Sequence, residues 1–349
     1  MPLSPNTPGA DPSFPGAGWW RGKRVVVTGG SGFVGSHVVE LLAPLASSVI
    51  VPTRRPNQLR SGHWLLANVQ PVALDLQETE KLAALFRGVD VVLALAARVA
   101  GVGWARTHPA TLLRDNLLPF ASTLEAARLA AVPRLLVCSS ACVYPADVPV
   151  PTPESAGHLG EPEPSKAAYG HAKRMQEVLA DQYRAEFGLH IAVARPNNTF
   201  GPRDRFDPAT AHVVAALIAR ALDPGQPTLQ LWGSGEQTRS FLYVRDVAAA
   251  LLVVAAKAEP GDVVNLDGEE EVTLAQLAAW IAELAAPHVG FLKPVVCDRT
   301  KPEGLGRRHC TTERMTEMIG FRPATPLREG LDATIAWYAR NAAAQPRDG

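Results

Sequence analysis

The first predicted elements are a strand and a helix joined by a glycine-rich turn. Residues 24–28 (Arg-Val-Val-Val-Thr) form a short β-branched run that ends at glycines. Residues 33–45 then place apolar side chains at the spacing of an amphipathic helix. The pattern therefore predicts strand, turn and helix in this order.

The same alternation continues along the first half of the chain. Further strands are predicted over residues 49–51, 69–74, 89–95 and 135–139, and helices over residues 78–86 and 109–130. Parallel strands need crossover connections of a dozen or more residues, and these helices supply them. We therefore predict an α/β fold, a Rossmann-type doubly wound parallel sheet covered by helices on both faces.

The second half of the chain changes character. A helix over residues 165–187 and a strand over residues 191–194 extend the sheet pattern, and Arg195-Pro196 ends that strand. After Gly201-Pro202 the chain carries loops rich in Pro and Gly, short strands and separate helices such as residues 273–284. The apolar run 247–256 suits a buried helix and is too short to cross a bilayer. We expect a smaller C-terminal α/β lobe here.

Composition narrows the functional classes. The 349 residues are 47% hydrophobic and 19% charged, which excludes a disordered chain, and 34 basic against 34 acidic residues leave no net charge to attract nucleic acid or an anionic membrane. Four cysteines without a C-x-x-C pair predict neither a disulfide framework nor a metal site. Residues 1–22 lack the apolar stretch of a signal sequence, so we predict a flexible leader and a cytoplasmic protein.

The glycine turn carries a dinucleotide-binding pattern. Gly29, Gly32 and Gly35 are spaced G-x-x-G-x-x-G and lie between the first strand and the first helix, with Phe33 and Val34 opening that helix. Glycines permit a tight turn and let a pyrophosphate approach backbone N–H groups at the positive end of the helix. A nicotinamide dinucleotide is therefore the predicted cofactor.

The end of the second predicted strand favours NADP(H), with NAD(H) as the alternative. An NAD site usually carries an acidic residue about 20 residues past the glycines. No Asp or Glu occurs between Glu40 and Asp75, whereas Arg54 and Arg55 lie at that place and suit a 2′-phosphate. Further candidate cofactor contacts follow the next two strands: Asp75, Leu76, Leu95, Ala96 and Ala97.

Three residues form a candidate catalytic set. Ser140 follows a predicted strand, and Tyr169 and Lys173 lie four residues apart on one face of a predicted helix. A nearby ammonium favours the phenolate, so Lys173 is expected to lower the pKa of Tyr169 below its usual value of about 10. The tyrosine would then exchange a proton with a substrate oxygen while the serine hydrogen-bonds the same oxygen.

With these residues in place, the sequence resembles the extended short-chain dehydrogenases/reductases that act on nucleotide sugars, the NAD-dependent epimerase/dehydratase family. The resemblance extends from Arg24 to Trp337. Its motifs are Thr28-Gly-Gly-Ser-Gly-Phe-Val-Gly35, Ser139-Ser140, Tyr169-x-x-x-Lys173, Arg195-Pro-Asn-Asn-Thr-Phe-Gly-Pro202 and Arg239-Ser-Phe-Leu-Tyr-Val-Arg-Asp246. It implies a Rossmann domain over residues 23–200, to which some later segments return, and a mainly substrate-binding lobe over residues 201–349.

Two further residues are similar to those of the GDP-L-fucose synthase group and the related GDP-mannose 3,5-epimerases. Cys142 lies two residues after Ser140, and His212 lies where the synthase group has its second acid/base and the mannose epimerases have a lysine. A 4-keto group acidifies the protons on carbons 3 and 5, so inversion needs a base on one face of the ring and an acid on the other. The resemblance implies these roles for Cys142 and His212.

The same resemblance implies cofactor contacts from Pro196 and Asn198. It implies nucleotide-sugar contacts from Asn198, Arg220, Trp232, Arg239 and Lys301. The glycine turn departs from the synthase pattern, because Ser31 and Phe33 give the general family form without an arginine in the loop. Residues 97–104 are more similar to the mannose epimerases. The substrate therefore stays open at this point.

Three functions follow as hypotheses. The first is a 3,5-epimerase/4-reductase of a GDP-4-keto-6-deoxyhexose that consumes NADPH. The second is a nucleotide-sugar epimerase with no net redox change, and the third is a cofactor-binding scaffold without activity. The family resemblance also implies a homodimer in which residues 109–130 and 165–187 of each subunit form a four-helix bundle.

Overall fold

The computed structural model of the chain describes residues 13–56, 66–99, 101–207, 211–301 and 303–341. Its strands, in chain order, are β1 Arg24–Thr28, β2 Ser48–Thr53, β3 Val69–Ala73, β4 Val91–Ala94, β5 Arg134–Cys138, β6 Ile191–Pro196, β7 Thr199–Phe200, β8 Leu229–Trp232, β9 Thr238–Ser240, β10 Leu242–Tyr243, β11 Val263–Leu266, β12 Glu271–Thr273, β13 Val295–Asp298 and β14 Arg307–Arg308. Its α-helices are α1 Phe33–Leu42, α2 Thr79–Phe86, α3 Val102–Thr107, α4 Pro109–Leu129, α5 Ala167–Phe187, α6 Val213–Leu222, α7 Val244–Lys257, α8 Leu274–Val289 and α9 Leu327–Asn341.

A seven-stranded sheet forms the centre of the molecule in the order β11-β6-β5-β4-β1-β2-β3, and every neighbouring pair is parallel. From the boundary between β1 and β4, strands β1 to β3 follow one another in one direction and strands β4 to β6 in the other, which makes the sheet doubly wound. Helices cover both faces of the sheet. Strands such as β4 are therefore buried along their whole length and carry apolar side chains on both faces. The Rossmann-type α/β prediction is confirmed.

Helix boundaries depart from the prediction where proline and glycine decide them. The first helix ends at Leu42 rather than at residue 45, because Pro44 lacks the N–H that would donate to the carbonyl oxygen of Glu40. Helix α8 runs past the predicted end at residue 284 to Val289, where Gly290 adopts the left-handed conformation that closes many helices.

The C-terminal part of the chain divides between two places. Strands β8, β12 and β13 with helices α6, α8 and α9 form a second apolar core, and β9 and β14 join β12 in a three-stranded sheet, in the part of the chain for which the sequence predicts a smaller lobe. Helix α7 and strand β11 instead return to the central sheet, where β11 pairs with β6. The apolar run within α7 is buried against the sheet, as its pattern predicted.

The packed part of the molecule begins before residue 22. Residues 1–12 of the predicted leader lie outside the described residues, but residues 17–20 form a 3₁₀ turn. The turn buries the indole of Trp20 completely within the core that contains α7. Burial of a side chain of this size excludes a large apolar area from water, so this segment belongs to the fold.

A buried ion pair connects helix α5 to the central sheet. Arg195 at the end of β6 donates two hydrogen bonds to Glu177 of α5, at 2.9 and 2.6 Å, and the two side chains are 2% and 4% exposed. The remaining lone pairs of Glu177 accept from Ser139 and His158. Because these hydrogen bonds favour the charged form more than burial disfavours it, the pKa of Glu177 is held to about 2.

We expect Glu177→Ala to lower the free energy of unfolding by about 3–5 kcal/mol, since it leaves a buried guanidinium without its partner. The depressed pKa also makes the pair's contribution dependent on pH. It is complete above the unfolded-state pKa of about 4.5 and is lost as pH falls towards 2, so wild-type stability should decline in that window. Urea unfolding at several pH values measures both effects.

Glu186→Ala, which removes an exposed carboxylate from the same helix, is the matched control and should change stability by less than about 0.5 kcal/mol. An equally small change for Glu177→Ala would contradict this account of the buried pair.

Candidate active site

The turn between β1 and α1 forms a backbone cradle that only glycine allows. Gly29 has a φ of 69°, and a Cβ there would lie 2.7 Å from the backbone of Ala96. A Cβ at Gly35 would overlap the carbonyl oxygen of Gly29. Gly32 begins the helix without a capping side chain, so N–H groups of its first turn face a place that a phosphate suits. The residues present therefore fit a dinucleotide.

The predicted cofactor residues lie around this turn. The hydroxyl of Ser31 is 3.4 Å from that of Thr53, so the glycine turn meets the end of β2, directly before the exposed Arg54 and Arg55. Leu95 and Ala96 donate backbone hydrogen bonds to Thr28, at 3.2 and 3.4 Å. Three others follow the ends of strands at the same edge of the sheet: Asp75 and Leu76 after β3, and Ala97 after β4.

Ser140 and Cys142 occupy a tight turn after β5. The Oγ of Ser140 accepts the backbone N–H of Cys142 at 3.2 Å and begins a 3₁₀ turn over Ala141–Val143. Gly170 of α5 lies against this turn, since a Cβ there would overlap the carbonyl oxygen of Cys142. Close packing of helix and turn thus brings Tyr169 into electrostatic contact with the Cys142 thiol.

Tyr169 and Lys173 are neighbours, but the predicted pKa shift of the tyrosine is wrong. The Lys173 Nζ lies 5.7 Å from the centre of the Tyr169 ring and donates to the Cys138 carbonyl oxygen at 2.7 Å and to Gln176 at 3.0 Å. Burial raises the pKa of Tyr169 well above its usual value, and burial also lowers the pKa of Lys173. Desolvation of the phenol therefore decides its pKa, and the Cys142 and Cys138 thiols act in the same direction, while the lysine ammonium is engaged by other acceptors.

Positive charges surround the Cys142 thiol. Burial alone raises a thiol pKa, but Lys166 and Arg308 act in the opposite direction, and the pKa of Cys142 is lowered overall. The Ser140 hydroxyl contributes in the same direction, whereas Glu163 opposes it. These charges therefore lower the pKa of the Cys142 thiol in spite of its burial.

His212 lies at the beginning of α6 and is half exposed. Its Nδ1 is 3.9 Å from Asp204 Oδ2, a buried carboxylate oxygen for which the described residues supply no hydrogen-bond partner. The described contacts of His212 include none with Cys142. The opposition of these two side chains across a substrate therefore stays a prediction.

The predicted substrate residues lie in or beside the smaller lobe. Arg220 and Lys301 both approach the half-exposed Trp232 ring, with their charged groups 5.2 and 5.7 Å from its centre. Arg239 donates to the Leu305 carbonyl oxygen at 2.7 Å. Pro196 ends β6, and nearby Asn198, at a φ of 23°, donates to the Ser240 carbonyl oxygen at 2.9 Å.

Sequence reasoning missed several residues that surround Cys142. Lys166 lies three residues before Tyr169, a spacing that a helical pattern could have indicated. Arg308 follows Arg307 in a polar stretch that resembles an ordinary solvated surface, and nothing in the sequence relates it to Cys142. Gly170 carried no signal because glycine within a helix is expected only to weaken it.

Within the described ranges, the helices lack the length and apolar character that a membrane span requires.

Comparison with known proteins gives one consistent result. A family model described as "NAD dependent epimerase/dehydratase family" matches residues 25–267. A GDP-L-fucose synthase of Sinorhizobium fredii is 33% identical over 92% of this chain and 97% of its own, and a dTDP-4-dehydro-6-deoxy-D-allose reductase of a Streptomyces species is 30% identical over 91% and 97%. The crystal structure of a UDP-glucose 4-epimerase of Thermotoga maritima with UDP-glucose superimposes with a TM-score of 0.79 at 27% identity, over 91% of this chain and 99% of that one.

Proposed function

The chain belongs to the NAD-dependent epimerase/dehydratase family, and on this premise we propose that it is a 3,5-epimerase/4-reductase of a nucleotide-linked 4-keto-6-deoxyhexose, with a GDP-sugar as substrate and NADPH as reductant. Membership confirms the prediction of an NAD(P)-dependent enzyme. The observation that carries the finer proposal is the cationic setting of Cys142 beside Ser140 and Tyr169, because simple reduction needs no such thiol.

The reduction half rests on Ser140, Tyr169 and Lys173. When bound, the nicotinamide supplies a hydride to carbon 4 of the sugar. Tyr169 stays a neutral phenol at neutral pH because burial raises its pKa, and a neutral phenol is the form that donates a proton to the carbon-4 oxygen. The Ser140 hydroxyl hydrogen-bonds the same oxygen, and Lys173 is held beside the phenol by Cys138 and Gln176.

The epimerisation half rests on Cys142 and His212. A thiolate at Cys142 removes the acidified proton from carbon 3 or carbon 5, and the negative charge moves onto the carbon-4 oxygen that Ser140 and Tyr169 hold. His212 returns a proton to the opposite face. The sequence similarity of this chain to relatives named GDP-L-fucose synthase supports this assignment and supports a GDP-sugar as the substrate.

The remaining assignments of the site belong to the same proposal. The glycine turn, together with Asp75, Leu76 and Leu95, holds the dinucleotide, and residues 201–341 carry most substrate contacts. Trp232 covers the base or the sugar ring, while Arg220, Arg239 and Lys301 neutralise the diphosphate.

NADPH preference is proposed on the charge at the end of β2. Arg54 and Arg55 are exposed directly after the strand, and Ser31 joins this end to the glycine turn. No carboxylate between Glu40 and Asp75 is present to repel a 2′-phosphate. Charge-assisted hydrogen bonds from arginine to phosphate give the preference.

A homodimer through α4 and α5 is proposed because both helices expose apolar side chains. Leu118 on α4 and Met175 on α5 are each 46% exposed, and Val178 on α5 is 39% exposed. The two helices pack against each other along their length. Burial of these side chains against the same helices of a second copy would complete a four-helix bundle.

The function is tested by incubating the enzyme with a GDP-4-keto-6-deoxyhexose and NADPH in deuterated water. We expect NADPH consumption and deuterium at carbons 3 and 5 of the product. Cys142→Ser should slow this exchange about 10²- to 10⁴-fold, since it removes the base, while hydride transfer stays measurable. Product mass spectrometry and nicotinamide absorbance report the two steps separately.

Cys297→Ser, which changes an exposed thiol in the smaller lobe, is the control and should behave as wild type. Turnover of a nucleotide hexose without net change in nicotinamide would support the redox-neutral epimerase instead. Tight NADPH binding without turnover of any nucleotide sugar would support the scaffold.

The cofactor preference is tested with Arg54→Ala/Arg55→Ala. We expect the Kd for NADPH to rise about tenfold or more, because charge-assisted hydrogen bonds are lost, while the Kd for NADH changes little. Fluorescence titration measures both constants. Arg87→Ala, an exposed arginine at the end of α2, is the control, and equal losses for both cofactors would refute the assignment.

The dimer is tested with Leu118→Glu/Met175→Glu. Two carboxylates in an apolar interface carry a large desolvation cost, so we expect a monomer by analytical ultracentrifugation, against a dimer for wild type. Phe291→Glu, at an exposed apolar position elsewhere, should leave the mass unchanged. A monomeric wild-type chain would disprove the proposed bundle.

A further inference from the structure

Arg308 approaches the Cys142 turn from the smaller lobe. It lies on β14, which pairs with β9, whereas Cys142 follows β5 of the central sheet. The Arg308 Nη2 donates to the carbonyl oxygen of Ala141 at 2.9 Å, one residue before Cys142. The guanidinium therefore crosses from one lobe to the other and is fixed on the backbone that carries the thiol.

The carboxylate partner of Arg308 is weaker. Its Nη1 is 3.6 Å from Glu163, which is too long for a hydrogen bond of ordinary strength. A buried arginine that served only to pair with a carboxylate would be expected to form the bidentate contact that Arg195 makes with Glu177. Arg308 is instead directed at the Cys142 turn.

The charged and titratable groups that face the thiol come from α5, from the residues directly before it and from β14. Tyr169 and Lys173 lie on α5, Glu163 and Lys166 precede it, and Arg308 lies on β14. The Ser140 hydroxyl and the positive charge of Arg239, which faces Arg308, complete the surroundings. Arg308 is the cation that the smaller lobe contributes to Cys142 directly.

We propose that Arg308 is a positioning residue that holds the turn carrying Cys142 and stabilises its thiolate, so that the base for epimerisation is complete only when the smaller lobe is packed against the sheet. This inference rests on the proposed function for its catalytic meaning. The lowered pKa of Cys142 agrees with it, since burial alone would have raised that pKa.

The test measures the thiol of the free enzyme rather than turnover. Wild type, Arg308→Met and Arg308→Lys are treated with iodoacetamide between pH about 6 and 10, and the peptide that contains Cys142 is quantified by mass spectrometry. The exposed Cys297 of the same chain serves as an internal reference. Arg307→Met, which removes a neighbouring cation that pairs with Glu271, is the matched control.

We expect Arg308→Met to raise the midpoint of Cys142 alkylation by about one pH unit or more, which is about tenfold slower alkylation at neutral pH. Arg308→Lys keeps the charge without the planar fork and should recover most of this shift. Arg307→Met and the Cys297 reference should not move. NADPH titration and circular dichroism confirm that each variant is folded.

For a second variant we expect a shift of the alkylation midpoint in the opposite direction. This variant keeps the inference testable if Arg308→Met fails to fold. Glu163→Gln removes the carboxylate that opposes the thiolate, so the Cys142 midpoint should fall. An unchanged midpoint in folded Arg308→Met, or a shift that Arg307→Met reproduces, would overturn the inference. If Arg308→Met does not fold, the inference is overturned when Glu163→Gln leaves the midpoint unchanged or raises it.

Deuterium exchange at carbons 3 and 5 then separates the two proposals. If the alkylation midpoint shifts and exchange in Arg308→Met recovers at higher pH, both stand. If the alkylation midpoint shifts but Cys142→Ser leaves deuterium exchange unchanged, Arg308 positions a thiol that is not the base. The proposed function then fails, and the inference on Arg308 stands.

Discussion

The buried pair between Glu177 and Arg195 is the interaction on which the arrangement of the site depends. It fastens α5, which carries Tyr169 and Lys173, to the end of β6, and its remaining hydrogen bonds reach the end of β5. Arg195 also donates to Tyr144 and to the backbone of Glu154, so loops on either side are fixed by the same guanidinium. Two charges with this many partners tolerate burial, and they leave the helix little freedom to shift.

The electrostatics of the site follow from how far each group is desolvated. Burial disfavours the charged forms of the neighbouring Tyr169 and Cys142 alike, yet the pKa of Tyr169 is raised and that of Cys142 is lowered. Burial dominates at the phenol, because the Lys173 ammonium is turned towards the Cys138 carbonyl and Gln176. At the thiol, Lys166, Arg308 and the Ser140 hydroxyl together outweigh burial and the opposing charge of Glu163. Two neighbouring groups are therefore shifted in opposite directions by their surroundings.

Much of the fold could be predicted from local pattern. Short stretches of residues are enough to predict several elements, among them the β-branched strands, the glycine turn after β1 and the apolar helix α7. Tyr169 and Lys173 are four residues apart on one helix, so they share a helix face whatever the tertiary structure is. The sequence predictions fail where the deciding contact is distant along the chain. The nearest cation in the sequence predicts a lowered pKa for Tyr169, whereas burial raises it. The pattern of residues 1–22 predicts a flexible leader, whereas the indole of Trp20 is buried in the core that contains α7.

The chain alone determined that a parallel sheet forms, that its first turn admits a dinucleotide and that a serine, a tyrosine, a lysine and a cysteine lie near strand and helix ends. These features depend on residue type and short spacing, which a sequence displays directly. Only the tertiary structure decided that Arg308, 166 residues beyond Cys142, donates to the turn beside that thiol, and that His212 lies beside Asp204. Long-range Coulombic and packing terms act through space, so no local pattern records them.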